Sequence, residues 1–374
     1  MILASLSTLI WLLMLLWPAQ AWRMNERLTA DPGKTSDDAM TVLIPARNEA
    51  DTLPTTLDAL SRQKLPLAIR VLDDGSTDGT CAVAAAVPGL SLVVERVPEP
   101  PAGWMGKLWA LQWGLRRVET EWLLLLDADI ALEPGTLPVL LNKARAENLD
   151  FLSVMASPYG RGFWDCWLMP VFIYFFKWVY PFRLSNCPRS GVAAAAGGCV
   201  LTRRQVIEDI GGFDPFRGAV IDDCTLARAV KKRGFRTWIG VSRDVRMQRA
   251  HRFSQIWQMV VRTAYAQLAY SPLLLGACTL ALAVVFLAPP VLFLIAPPPA
   301  SLVAGVAWLL MMTSEIPIAR FYGQWRFAGF FLPVAALLFL AMTWHSAFRY
   351  GLGIRTRWKG RSYSRRDFPG GPPR

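Results

Sequence analysis

The chain has 374 residues, 53% hydrophobic and only 18% charged, with a formal net charge of +12. That balance is too apolar for an ordinary soluble protein and points to a membrane class. Six cysteines without a CxxC pair speak against a disulfide framework or zinc site, and two histidines, His251 and His345, exclude a multi-histidine metal centre. The basic excess comes with 16 Trp and 19 Phe but without zinc-finger spacing or an RNP-like pattern, which favours anionic lipid or phosphorylated substrates over nucleic acid.

Residues 1–22 are apolar and have no Lys or Arg before Arg23. The segment reads as a transmembrane anchor, although Ala19-Gln20-Ala21 has the composition of a cleavage site. Arg23, Arg27 and Lys34 follow it, so the positive-inside rule puts the chain from about residue 23 in the cytosol. Residues 30–40 read as a polar linker, and 41–250 as the soluble domain.

Within that domain the pattern predicts a strand at 41–44 stopped by Pro45, a helix over about 49–63 and a strand at 69–72. A helix near 79–87, a strand at 91–96, a helix near 107–118 and a strand at 122–126 follow. This alternation predicts a mostly parallel sheet with helices on both faces. The aromatic stretch 163–182 is long enough to suggest a span. A single crossing there would separate the acidic clusters before and after it, so the segment is expected to lie in the membrane interface. His251, close to Arg249 and Arg252, reads as part of a solvated basic segment.

From Ser271 the chain is a membrane region, 271–348, with candidate spans at 273–295, 300–319 and 327–348. The first is weakened by Pro289-Pro290. Three full crossings would put the basic tail, 349–374, on the wrong side, so one candidate is expected to be re-entrant or interfacial, or 273–299 to fold as a broken hairpin. The tail is expected in the cytosol near anionic headgroups, with a disordered end from Pro369 to Arg374.

Three acidic clusters carry the chemistry: Asp73-Asp74-Gly75-Ser76-Thr77-Asp78, Asp127-Ala128-Asp129 and Asp222-Asp223. The first two follow apolar strands, and strand ends collect at the edge where open α/β sheets bind ligands. Carboxylates gathered there stay ionised together only around positive charge, for which a hard divalent cation with a phosphate ligand is suited. Ile44-Pro45-Ala46-Arg47-Asn48-Glu49 reaches the same edge, and no phosphate-cradling GxxxxGK[ST] loop is present. Two carboxylates at i and i+2 bind one ion, or one binds ribose and the other the ion. Asp222-Asp223 opens a helical pattern, which suits either simple helix capping or a general base for an acceptor hydroxyl.

These residues, with Gly106-Lys107-Leu108-Trp109-Ala110-Leu111, Gly197-Gly198 and Gly211-Gly212-Phe213-Asp214, make the chain resemble the family 2 glycosyltransferases over about 41–270. With Trp104-Met105-Gly106-Lys107 and Trp358-Lys359-Gly360-Arg361-Ser362-Tyr363 it is most similar to the hopene-associated membrane glycosyltransferases of bacterial hopanoid clusters. The resemblance implies a GT-A fold, a Rossmann-like mixed sheet, carrying N-terminal and C-terminal transmembrane helices. It also implies a bacterial inner-membrane enzyme with its catalytic domain on the cytosolic side.

By position, the resemblance assigns nucleotide-sugar binding to Pro45, Arg47, Glu49, Asp73 or Asp74, Lys107 and Asp127. It assigns Mg2+ or Mn2+ to Asp129 with Asp127, and catalysis to Asp223 with Asp222. The family's late Gln-x-x-Arg-Trp motif is degenerate: Gln258 stands one residue too far from Arg262, and Thr263 replaces the Trp. Arg262 is the candidate to meet the diphosphate. The implied partners are a nucleotide-diphosphate sugar, a lipid acceptor such as a hopanoid, and the membrane. Transfer to polyprenyl phosphate, or a non-catalytic nucleotide-binding protein, remain alternatives.

Overall fold

In the computed structural model, residues 1–29, 38–325, 327–359 and 361–364 are described. Most of the expected linker and the expected disordered end lie outside them.

Eight strands form one sheet: β1 Met40–Ala46, β2 Leu67–Asp73, β3 Leu92–Arg96, β4 Trp122–Leu126, β5 Ile130–Leu132, β6 Phe151–Ser157, β7 Cys199–Arg203 and β8 Thr237–Met247. Their order is β3-β2-β1-β4-β7-β6-β8-β5. β1, β2, β3 and β4 are parallel neighbours, as the βαβ alternation predicts. Beyond β4 the expectation of a mostly parallel sheet fails. β7 runs antiparallel to both β4 and β6, and β5 is antiparallel to β8. The sheet is therefore mixed, and the fold is GT-A with apolar helices attached.

β4 is buried at all five positions, as a central parallel strand requires. Pro45 does not stop β1. It pairs in register with Leu72 near the strand's C-terminal end, where one lost ladder donor costs little. One core cluster joins β1, β2 and β4 to the Leu53–Ser61 and Thr136–Ala146 helices. A second packs the opposite sheet face against the Gly106–Leu115 and Asp222–Lys232 helices.

The aromatic stretch is a helix, Phe163–Val179, enclosed between the sheet domain and the apolar helices. Tyr174 shares a 2.7 Å hydrogen bond with Ser314, and buried Lys177 pairs with Glu26 at 3.1 Å.

Among the described residues, three helical segments are long and apolar enough to cross a membrane: Pro272–Ile295, Ala300–Tyr322 and Ala328–Gly351. The first absorbs Pro289-Pro290 through a π-helical turn, Ala283–Leu287, just before the prolines. A wider turn accommodates the missing N–H and the ring clash. The N-terminal helix, Ile2–Leu16, has 15 residues. It is about 22 Å long at 1.5 Å per residue, short of the ~30 Å apolar core of a bilayer. It packs beside the other two: Trp11 is fully buried and donates to Val285 O at 2.8 Å, and Thr8 donates to Val303 O at 3.0 Å.

Ala328–Gly351 is tethered to the sheet domain's helices at both ends. Near its start, Phe331 meets Trp167 with ring centroids 6.4 Å apart, and Gln324 just upstream donates to Cys166 O at 2.8 Å. At its other end, His345 Nδ1 accepts from Trp257 at 2.8 Å and Tyr350 stacks on Tyr270. The chain then forms a hairpin, β9 Ile354–Trp358 with β10 Arg361–Ser364, that returns to the sheet edge.

Candidate active site

β1 and β2 end level, with Ala46 opposite Asp73, so their following loops share one edge. Side chains stitch these loops together. Asn48 N donates to Ser76 Oγ at 3.0 Å, Thr77 N to Asn48 Oδ1 at 2.8 Å, and Glu49 N to Thr80 Oγ1 at 2.9 Å. Gly75 turns the second loop at a φ of +70°, which glycine adopts without strain.

The first acidic cluster splits into two roles. Asp74, almost fully buried, accepts from Arg361 with both carboxylate oxygens at 2.8 Å and also faces Arg47 at 3.8 Å. Asp73 is fully buried and accepts from Ser76 N at 3.1 Å through Oδ1. Its Oδ2 has no hydrogen-bond partner among the described residues. Its one ion-pair contact among them is exposed Arg96 at 4.0 Å, and a buried carboxylate oxygen without a hydrogen bond is costly, so Asp73 can still accept from a ligand N–H or O–H.

Lys107, in the first turn of the Gly106–Leu115 helix, links the second and third clusters. Its Nζ lies 2.6 Å from Asp127 and 3.9 Å from Asp222. Desolvation works to lower the Lys107 ammonium, but the Asp127, Asp222 and Asp223 carboxylates outweigh it and hold it above the usual lysine range. Asp223 accepts from Gly197 N at 3.0 Å and from its neighbour Cys224 N at 2.7 Å. Gly197 allows this close approach, because a Cβ there would lie 3.3 Å from Asp223 Cβ and 3.4 Å from Lys107 Nζ. Desolvation first, then the adjacent Asp222 charge, push the Asp223 carboxyl up to about 6. Pro45, Lys107, Asp127, Gly197, Asp222 and Asp223 line one shared cavity.

Asp129 is the least satisfied carboxylate of the second cluster. Desolvation, then Asp127 and Glu49, raise it above the ordinary range. Its backbone oxygen accepts from Gln248 N, but its carboxylate has no hydrogen bond or ion pair among the described residues. Arg249 and Lys359 act on it only from a distance, and a carboxylate without a direct cation contact, beside two others, fits a hard divalent ion. Mg2+ and Mn2+ use few protein oxygens and complete their shell with phosphate and water. Asp127 and Asp129 would hold such an ion.

Glu49 is paired twice, with Arg249 and with Lys359, the latter at 2.6 Å. Arg47 Nε donates to Lys359 O at 3.0 Å. The structure thus brings Arg249, Lys359 and Arg361 into the site, three cations that sequence reasoning did not assign there. It revises two expectations. The basic tail is not wholly at lipid headgroups, since Lys359 and Arg361 point into the acidic cleft. The 249–252 stretch is not a solvated run either: Arg249 pairs with Glu49, and His251 Nδ1 lies 3.2 Å from buried Asp165. Arg262 sits in the middle of the Phe253–Gln267 helix, and its Nε is buried without a hydrogen-bond partner among the described residues. Among those residues it has no ion pair or hydrogen bond to the site carboxylates.

Residues 41–211 match the family model described as glycosyl transferase family 2. Curated relatives include 4,4'-diaponeurosporenoate glycosyltransferases of Staphylococcus aureus. One is 28% identical over 149 residues, 39% of either chain, and another 30% identical over 129 residues, 34% of either. The chain therefore matches little more than a third of these relatives' length. The fold resembles a mannosyltransferase from Pyrobaculum calidifontis, solved with GDP-Man and Mn2+. Its TM-score is 0.53 at 20% identity, covering 92% of this chain and 98% of that one. The family match covers a little under half of the chain, and the structural likeness shows the GT-A fold.

Proposed function

We propose that this chain is a membrane-bound, metal-dependent, inverting glycosyltransferase that moves a sugar from a nucleotide-diphosphate sugar to a lipid hydroxyl. The observation that carries the reading is three kinds of carboxylate collected at one edge of the sheet. Asp73 has a buried acceptor atom without a hydrogen bond among the described residues, Asp129 makes no direct ion pair there, and Asp223 is raised to about 6 beside Lys107. The relatives named for 4,4'-diaponeurosporenoate favour a lipid acceptor. A hopanoid is the acceptor class suggested by the sequence resemblance.

In this reading Asp73 and Glu49 hold base and ribose, and Asp127 and Asp129 hold Mg2+ or Mn2+. When bound, the ion supplies charge stabilisation to the departing diphosphate. The acceptor oxygen attacks the anomeric carbon as the bond to the diphosphate breaks, and the acceptor proton passes to Asp223. A carboxyl that is ionised above about pH 6 is suited to a neutral hydroxyl, which needs a base. A phosphate acceptor is already an anion and needs none.

The attachment of both ends of Ala328–Gly351 to the sheet domain supports a topology with one crossing hairpin, Pro272–Ile295 and Ala300–Tyr322. The third apolar helix then lies in the interface with the Phe163–Val179 helix. An even number of crossings keeps the β9–β10 hairpin and the acidic cleft together, on the cytosolic face of a bacterial inner membrane. Single cysteines in a variant lacking the native ones would test it. Residues near 297 should label only from outside, and residues near 326 and 352 only from inside.

The central test uses membranes containing the full chain, labelled nucleotide sugars and extracted lipid. Manganese-dependent appearance of glycosylated lipid is expected. Asp223→Asn should bind donor normally and lose transfer by about a hundredfold or more. Full transfer by that variant would overturn the base assignment.

A further inference from the structure

We propose that the β9–β10 hairpin is a working part of the donor site, and that Lys359 leaves Glu49 to hold the donor's diphosphate. This deepens the glycosyltransferase reading and rests on it.

The hairpin bridges two walls of the cleft. On the β1–β2 side, Lys359 Nζ lies 2.6 Å from Glu49, Lys359 O accepts from Arg47 Nε at 3.0 Å, and Arg361 makes its two-pronged contact with Asp74. On the other side, buried Tyr363 OH accepts from Gly106 N at 3.0 Å, one residue before Lys107. Lys359 and Arg361 stand on the two sides of the hairpin tip, so one short turn delivers two cations.

These cations are not equivalent. Arg361 Nη1 donates to both oxygens of Asp74, and no other contact among the described residues gives Asp74 both oxygens, so it anchors the strap. Lys359 shares Glu49 with Arg249, so one carboxylate faces two cations. If the ammonium moves away, Glu49 keeps Arg249. Lys359 also lies within electrostatic reach of Asp129, where the metal-bound diphosphate is expected. A lysine is a flexible point charge suited to phosphate oxygens. Its backbone supports a functional reading: Lys359 has a φ of +44°, where glycine would fit the turn at less cost. This assigns to Lys359 the diphosphate contact that the degenerate motif leaves to Arg262.

The test measures binding rather than turnover. Full-length protein in lipid nanodiscs is titrated calorimetrically, with Mn2+ present, against UDP, GDP and ADP and against the corresponding nucleosides. Wild type should prefer one diphosphate. Lys359→Met should weaken that diphosphate about tenfold, which is 1.4 kcal/mol, and leave the nucleoside unchanged. Hydrogen exchange across 354–364 should slow in wild type when the diphosphate binds.

If wild type binds no nucleoside diphosphate, the donor reading itself fails and the clamp falls with it. If wild type binds one and Lys359→Met binds it equally well or more tightly, the donor reading stands and the clamp is wrong. Equal weakening of nucleoside and diphosphate would make the hairpin a packing element and overturn the proposal. So would unchanged exchange in the hairpin.

Discussion

Asp222→Asn isolates one charge in the catalytic pair. Asp223 is raised from 3.8 to about 6, with desolvation the larger cause and the Asp222 carboxylate the next. A base works only when ionised, so activity should fall as pH drops through about 6. Removing the Asp222 charge takes away a like-charge repulsion and leaves Lys107 free to favour Asp223, and both changes move its pKa down. Desolvation is the leading cause of the rise and the Asp222 charge the next, so removing that charge should bring the Asp223 carboxyl only part of the way back toward 3.8. The assay is kcat/KM for the nucleotide sugar from pH 4.5 to 8, at saturating Mn2+ so that metal occupancy does not limit the rate. The acidic limb should move from near 6 to lower pH in Asp222→Asn, with the alkaline plateau reduced by a smaller factor. A limb that stays in place, or moves up, would refute the assignment of Asp223 as the titrating base.

Two further predictions concern stability. Lys107 is the shared partner of Asp127 and Asp222 and is about one-fifth exposed, so Lys107→Met leaves a cluster of carboxylates without their cation. We expect a loss of about 2 kcal/mol, seen as a lower thermal midpoint in chelator and partly recovered with Mn2+. Equal midpoints would mean that the cluster is neutralised some other way. Glu315 is fully buried, and neither carboxylate oxygen has a partner among the described residues. Glu315→Met should leave detergent-solubilised protein unchanged or stabilise it by about 1–3 kcal/mol, read from its thermal midpoint. A destabilised Glu315→Met protein would reveal a partner for that carboxylate.

The parallel half of the sheet was readable because its strands are short apolar runs alternating with helical patterns, and two of them, β2 and β4, lead into carboxylates. The Leu-rich run 122–126 matches β4 to the residue. The antiparallel half was not readable, because hydropathy marks a strand without giving its direction, and β7 joins the sheet between β4 and β6 from a distant part of the chain. Helix ends were overextended: the stretch 49–63 is helical only over Leu53–Ser61, because the preceding residues are held by the Ser76–Thr80 loop. In the site, the acidic residues could be named from their spacing, but not which of Asp73 and Asp74 stays open. That depends on Arg361, far along the chain. A basic run after an apolar helix has two chemically equivalent destinations, lipid phosphates or protein carboxylates, and local sequence does not choose between them. The same ambiguity hid Arg249, which lies just past the end of β8 and finds Glu49 only because β8 is threaded between β6 and β5.

The pairing of Arg361 with Asp74 spans 287 residues. A ribosome making this chain must release the sheet and every apolar helix before those two charges can meet. On the proposed reading, the nucleotide cleft is therefore finished only after the apolar helices have emerged, and an earlier folding intermediate would present an incomplete pocket to sugar nucleotides. Emergence of the membrane-seeking helices would then precede completion of the reaction chamber, tying the timing of synthesis to the place where a lipid product belongs.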